Sequence, residues 1–381
     1  MALNSTQEQD LLSRGVSRRS FGMIASMLSA GAALPLFSEM AYAQAARLEG
    51  APPPGAVMIN SNENPMGPCK EGLEALYKMA QIGGRYRYDQ IDLVQRILAE
   101  QEGVKNDYVR ITYGSSPPLH QSVLAFTSPS RPLIMADPSY ESAAGAAKVV
   151  GAKVIRVPLT KDYMHDVKAM AAADSNAGLI YIVNPNNPTG TLTPKADIEW
   201  LVANKPKGSV IMIDEAYTHL SGAPFNTDLV AQDKDVIILR TFSKIYGMAG
   251  LRAGAIIARP DIIAKQSNFS STGMMPTTAM ACAAASLQIK SLVPERRKII
   301  ADIRENTLEY LGKNNFHYVP SVSNCFMVDV KRPANEIVTA MRKENVYIGR
   351  VWPAWPTHVR VTVGTQDEMN TFKKTFSKVM A

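Results

Sequence analysis

The feature that most constrains this chain is a series of short runs rich in Ile and Val, separated by stretches with helical spacing. The runs are Leu133–Ala136, Lys153–Val157, Leu179–Val183, Val210–Ile213, Val236–Leu239 and Ala255–Ala258, and Tyr140–Val150, Tyr163–Ala173 and Lys195–Ala203 lie between them. A strand with one wet face alternates apolar and polar residues; continuous apolar strands are buried on both faces, which calls for a mostly parallel sheet between helices. The prediction is an α/β fold. Past Pro276 the pattern changes. Residues 277–312 read as helix interrupted near Pro294, followed by strand-like Cys325–Val330, helix-like Ala334–Glu344, strand-like Val359–Val363 and helix-like Gln366–Val379, which predict a smaller α+β domain.

With 381 residues and 46% apolar content the chain can build a sizeable core as one large or two interleaved domains. The formal charge of +7 is mild and no basic run concentrates it, so composition gives no reason to expect a nucleic-acid partner. Three scattered cysteines, Cys69, Cys282 and Cys325, make neither a disulfide framework nor a structural zinc site. The histidines form no ligand-spaced pair, so no metal is expected.

The first residues read as an address. Arg18-Arg19 with Phe21 resembles the twin-arginine export signal, although Gly22 and Met23 depart from its usual Leu-Lys. Residues 20–38 carry no charge but are diluted by Gly, Pro and Ser, too weakly apolar for a membrane span, and Ala41-Tyr42-Ala43 is a small-x-small cleavage site. The expectation is a signal peptide over residues 1–43, cleavage after Ala43 and a periplasmic mature chain that meets the membrane only during export; the alternatives are an ordinary secretory signal or an uncleaved anchor. Ala51-Pro52-Pro53-Pro54-Gly55 reads as a linker into the mature protein.

Polar residues at the carboxyl ends of the strands are the site candidates, because open α/β sheets bind ligands along that edge. Lys244 falls just beyond Val236–Leu239 in a stretch poor in charge, with Arg252 further on among small residues. Desolvation and a neighbouring cation suit a lysine that must react as a free amine. Asp214 closes the run Ile211–Ile213 and either caps the next helix or pairs with a protonated ring nitrogen, with Tyr217 close behind. Asn184-Pro185-Asn186-Asn187-Pro188-Thr189-Gly190 makes a turn that also offers side-chain amides. Gly114, Ser115 and Ser116 precede the expected helix Pro118–Ser128, where N–H groups and hydroxyls suit a phosphate or serve as a plain cap. Arg360 sits inside an apolar strand, where a guanidinium needs an anion: a substrate carboxylate or a structural partner.

Taken together and in this order, these segments resemble the fold-type I pyridoxal-phosphate enzymes, specifically the class I/II aminotransferases and, within them, the histidinol-phosphate aminotransferases. The resemblance runs from Asn60-Ser61-Asn62-Glu63-Asn64-Pro65 to Gly364-Thr365 and is most specific around Lys244. It implies a sheet of the seven-stranded type, with 44–75 joining the small domain, 76–270 forming the large cofactor-binding domain and 271–381 the small one. It implies pyridoxal 5'-phosphate as cofactor, carried by Lys244, which also moves the proton at the substrate carbon. Asp214 would hold the pyridinium nitrogen protonated, Asn187 and Tyr217 would bond the ring oxygen, and Tyr140 would stack on the ring. Gly114, Ser115, Ser116, Ser243 and Arg252 would hold the phosphate, completed by Tyr88 from the second subunit of a homodimer. Arg360 would take the substrate's α-carboxylate, and Arg350 and Asn64 would face the rest of the substrate.

The departures bear on the substrate. Met66 stands where the family usually has Tyr, and Asn64 where some members that bind histidinol phosphate have Tyr. Trp352-Pro353-Ala354-Trp355-Pro356 is bulky, suited either to packing under a loop or to a pocket for an aromatic or long side chain. An exported enzyme would also lie away from cytosolic histidine synthesis. The expected activity is amino transfer between an amino acid and a 2-oxo acid. The alternatives are decarboxylation, elimination or oxidation on the same scaffold, or a non-catalytic cofactor-binding module, for which no DNA-binding element is attached.

Overall fold

A computed structural model describes residues 52–270 and 274–381, and the expected export signal lies outside the described residues. Residues from Pro52 onward form one compact unit. Its twelve strands are β1 (Val57–Ile59), β2 (Val109–Thr112), β3 (Leu133–Asp137), β4 (Val154–Pro158), β5 (Leu179–Val183), β6 (Val210–Asp214), β7 (Val236–Thr241), β8 (Gly254–Ala258), β9 (His317–Val319), β10 (Cys325–Asp329), β11 (Val346–Ile348) and β12 (His358–Thr362).

Seven of them form one sheet in the order β2-β8-β7-β6-β5-β3-β4. The contacts from β7 through β6, β5 and β3 to β4 are all parallel, and only β8 runs backward, antiparallel to both β7 and β2. Every residue of β5, β6, β7 and β8 is buried, as continuous apolar runs require when helices cover both faces. The sheet separates two cores. Ile180, Ile211, Ile213 and Ile238 face one of them, and Leu179, Tyr181, Met212 and Leu239 face the other, the alternation of side chains across a strand.

β9, β10 and β12 make a three-stranded antiparallel sheet, while β1 pairs in parallel with β11 and so brings the start of the described chain to its last third. The helix Thr277–Leu287 lies against the helices Lys70–Ala80 and Tyr88–Glu102, so the helical layer crosses the expected boundary at residue 270.

Some boundaries differ from expectation for identifiable reasons. The helix expected over Tyr163–Ala173 is only Val167–Ala172, because Tyr163 is left-handed (φ 62°) in a turn closed on Thr160 and Asp166 caps the helix from its side chain. The helix break expected near Pro294 falls just before it, between Leu287 and Leu292. Pro294 sits in the first turn of Leu292–Lys313, where its missing N–H has no intrahelical partner to lose. The expected helix Pro118–Ser128 is shifted to Ser116–Phe126, which places the Ser115-Ser116 pair at its very start.

Candidate active site

Because β2, β5, β6 and β7 share one direction, the segments that follow them emerge on one edge. The reversal of β8 adds a fifth, since its amino end lies beside the carboxyl ends of β2 and β7, with Gly254 opposite Thr112 and Thr241. Arg252, two residues before β8, is thereby delivered to the same edge as Gly114 and Ser243.

At the β2–β8 corner the packing is tight. A Cβ on Gly114 would lie 2.6 Å from Arg252 Nη2, and one on Gly254 would lie 2.6 Å from the Gly114 carbonyl carbon. Gly114 also has φ +80°, so glycine is required there both for space and for backbone conformation. The Arg252 guanidinium donates to the carbonyls of Ala249 (2.9 Å) and Tyr113 (3.2 Å) and remains on the surface. Ser115 stands at the N-cap of Ser116–Phe126 without using its hydroxyl to cap the helix. The Ser243 hydroxyl accepts from Thr241 Oγ1 at 2.9 Å, which leaves its own hydrogen available. Helix N–H groups, two hydroxyls and a guanidinium thus converge with no carboxylate among them, a donor set suited to a phosphate.

Asp214, at the end of β6, is buried and accepts from Tyr181 Oη (2.9 Å) and the Ala216 N–H (3.1 Å). Burial raises its pKa above the usual carboxylate value, outweighing the two hydrogen bonds and the charge of Lys244. Among the described residues it has no lysine or arginine in ion-pair contact, so a protonated ring nitrogen would supply a missing positive charge. The half-buried Lys244 places Nζ 3.4 Å from the Ser61 carbonyl and 5.6 Å from the centroid of the Tyr217 ring. Tyr217 Oη accepts from Asn62 Nδ2 at 3.0 Å.

Arg360, on β12, is 2% exposed. It donates to Asn187 Oδ1 (2.8 Å) and to the Asn60 carbonyl (2.7 Å), and its guanidinium lies 5.3 Å from the Trp352 ring centroid. No carboxylate pairs with it among the described residues, and its Nε has no hydrogen-bond partner. A buried cation beside neutral groups, with a donor unused, fits an anionic ligand. Arg360 with its unused donor therefore fits the carboxylate of an amino acid, and the uncompensated Asp214 and the cradle at Gly114 fit the two charged ends of pyridoxal phosphate.

The remaining expected residues are placed differently. Asn64 donates to the carbonyls of Lys244 (3.0 Å) and Ile245 (3.2 Å) and accepts from the Met66 N–H, so it clamps the lysine loop. Arg350 is held by Glu141 through two contacts of 2.6 and 2.7 Å and lies 4.2 Å from the Trp352 ring centroid. Tyr140, half-buried, follows β3 close to Tyr181. Tyr88 is 61% exposed, with its ring 6.0 Å from that of Tyr86, and is not brought to the edge by this chain's own fold.

The profile described as aminotransferase class I and II matches residues 55–375. The chain belongs to this family. It is a pyridoxal-phosphate-dependent enzyme that transfers an amino group between an amino acid and a 2-oxo acid. It is 30% identical over 332 residues to the histidinol-phosphate aminotransferase of Moorella thermoacetica, covering 85% of this chain and 86% of that one. It is 31% identical over 326 residues to the aromatic amino acid aminotransferase of Nocardia farcinica, covering 84% and 90%. The crystal structure of a putative histidinol-phosphate aminotransferase from Erwinia carotovora atroseptica superposes with a TM-score of 0.82 at 29% identity, over 86% of this chain and 97% of that one. The Sinorhizobium meliloti histidinol-phosphate aminotransferase, solved with pyridoxal-5'-phosphate, shares the fold with a TM-score of 0.76 at 24% identity, over 84% and 90%.

Two parts of this aminotransferase site, and one buried ion-pair cluster in the large sheet, escape the sequence reading. Asn62, left-handed at φ 53°, joins Tyr217, Cys325 and Thr362, the last through its backbone N–H at 2.9 Å across 300 residues. Tyr181 looks like core until its hydroxyl is traced to Asp214. Arg240, inside β7, is held by Glu102 (2.9 Å) and by Glu215, and lies 4.0 Å over the Phe225 ring. The rule that singled out Arg360, a guanidinium in an apolar strand, applies equally to Arg240.

Proposed function

We propose that this aminotransferase uses an amino acid with an aromatic or long side chain, as an exported homodimer. The observation that carries the amino-acid reading is Arg360: a buried guanidinium without a carboxylate, beside Asn187 and on the same edge as Lys244 and Asp214.

The chain's own residues perform definite tasks. Arg360 binds the α-carboxylate through its fork and thereby fixes the substrate's amino group and α-carbon. Lys244, whose chain is steadied by the Asn64 clamp and the Ser61 carbonyl, takes the proton from the α-carbon and returns one on the other side of the transfer. Asp214 keeps a positive charge on its ring partner, and Tyr181 keeps Asp214 in register. Bound in this cradle, pyridoxal phosphate supplies the electron sink that makes the α-hydrogen acidic. Tyr217, with its oxygen already accepting from Asn62, presents its hydrogen to the ring oxygen together with Asn187.

Support for the side-chain class comes from Trp352, which lies against the carboxylate-binding Arg360 and donates to the Ser139 carbonyl at 3.0 Å, and from Trp355, edge-on to Tyr163 at 5.6 Å. The Nocardia farcinica relative is itself named for aromatic amino acids. The test is to load the purified protein with cofactor and screen amino acids one at a time for the change in cofactor absorbance. Aromatic or long-chain donors should react fastest; equal reaction with alanine would count against the reading. Lys244→Ala should abolish turnover with every donor.

The dimer reading is supported by the exposed Tyr77, Ile82, Tyr86 and Tyr88 at one helix junction. If Tyr88 of the partner subunit completes the phosphate site, Tyr88→Ala should loosen cofactor binding, and mixing it with Lys244→Ala should restore some sites. Export is supported by Arg18-Arg19 and by a family match that begins only at residue 55. Changing both arginines to lysine should leave the precursor in the cytoplasm.

A further inference from the structure

Two guanidiniums lie close to the Trp352 ring. Arg360 lies 5.3 Å and Arg350 4.2 Å from its ring centroid, and Gly349 binds the two segments together by donating its N–H to the Arg360 carbonyl at 2.8 Å. A Cβ on Gly349 would stand 3.2 Å from Arg360 Nε, so the Arg350 backbone runs directly beside the carboxylate-binding arginine. The charges of the two arginines are handled in opposite ways. Arg360 has only an amide and a carbonyl for partners, whereas Arg350, with a side chain 3% exposed, is forked onto both oxygens of Glu141 at 2.6 and 2.7 Å. Glu141 is 20% exposed, directly follows Tyr140, and is two residues from Ser139, whose carbonyl holds the Trp352 indole N–H.

The geometry points to Glu141 as the residue that decides which side chains the enzyme accepts. It is a built-in counter-ion for Arg350, occupying the fork that a carboxylate or phosphate at the far end of a substrate would need. An anionic side chain must displace Glu141 and leave a second carboxylate beside it, whereas an uncharged side chain leaves the pair intact. The selectivity arises from repulsion of the wrong ligand as much as from attraction of the right one. The inference rests on the proposed substrate class and sharpens it, from aromatic or long to uncharged.

The experiment measures equilibrium binding of two unreactive probes to the cofactor-loaded enzyme by calorimetry: glutarate, with a distal carboxylate, and 3-phenylpropionate, with an aromatic end. Wild type should bind glutarate at least roughly tenfold more weakly than 3-phenylpropionate. In Glu141→Gln the Kd for glutarate should fall by about tenfold while that for 3-phenylpropionate moves by less than about twofold, and in Glu141→Gln/Arg350→Gln the gain should vanish. An unchanged ratio in Glu141→Gln, or a gain that survives the loss of Arg350, overturns the assignment. So does a wild type that binds glutarate as well as 3-phenylpropionate, a result that does not depend on any variant folding. Turnover with single amino acids separates this from the substrate reading. If Glu141→Gln gains glutarate but no form converts an aromatic or long-chain donor, the substrate class is wrong and the role of Glu141 stands.

Discussion

Arg240 and Arg360 are the same residue in the same local setting, each on a strand with apolar neighbours and each 2% exposed, yet they are surrounded differently. Arg240, in the large sheet, meets Glu102 and Glu215, with Asn226 donating to Glu215 from its backbone (2.9 Å) and its amide (2.7 Å). Arg360, in the small sheet, meets only neutral oxygens and keeps an unpaired Nε. A buried charge is costly unless paired, so a fold that compensates one guanidinium fully and leaves the other uncompensated has a structural arginine and a ligand-binding one. The difference lies in the partners, which come from remote parts of the chain.

Four measurements test this contrast. Replacing Arg360 with Met should lower kcat/KM for the amino donor by about a thousandfold, the loss of two charge-assisted hydrogen bonds to a carboxylate, while the urea midpoint hardly moves. Replacing Arg240 with Met should do the reverse. Two carboxylates would be left buried without their cation, and unfolding in urea should show a loss of about 3–5 kcal/mol. If both variants lose stability equally, the distinction fails.

The third measurement uses pH on the cofactor-free protein. Burial pushes Glu102 up, but the charge and hydrogen bonds of Arg240, with Thr227, hold it below its ordinary value. Its contribution to stability is therefore present above that value and is lost as pH falls through the lowered one. Asp214 has the opposite sign. Its pKa is raised in the fold, so the stability it confers is present in acid and is lost as pH rises through the folded value. At neutral pH, Glu102→Gln should lower the urea midpoint and Asp214→Asn should raise it, and both differences should shrink as the solution is acidified towards the ordinary carboxylate range. The smallest effect concerns the Trp352 ring that lies near both Arg350 and Arg360. Trp352→Leu should weaken binding of a simple monocarboxylate by about 1 kcal/mol, seen by calorimetry.

Much of the large sheet was legible because β5, β6, β7 and β8 are fully buried and therefore largely apolar. The same criterion passed over β1, β2 and β11, whose three or four residues are too short to show a pattern. At the site, Lys244, Asp214 and Asn187 could be found because each follows a readable strand. Asn62 could not, since nothing local connects it with Tyr217, and the partners of Asn64 and Arg350 were equally hidden because sequence shows a side chain but not what it touches. The amide of Asn64 is engaged by the lysine loop, and the charge of Arg350 by Glu141.

The pairing of β1 with β11, with Val57 opposite Val346, also governs when the enzyme can exist. The loop after β1 supplies Asn60, Asn62 and Asn64, which hold Arg360, Tyr217 and the Lys244 loop. Every element of the large sheet has left the ribosome before β11 and β12 are made, so the sheet can collapse while its active edge is still unfinished. A chain interrupted between Lys244 and Arg360 therefore carries the reactive lysine without the arginine that selects its substrate. Completion of synthesis is the checkpoint that separates a folded chain from a working one.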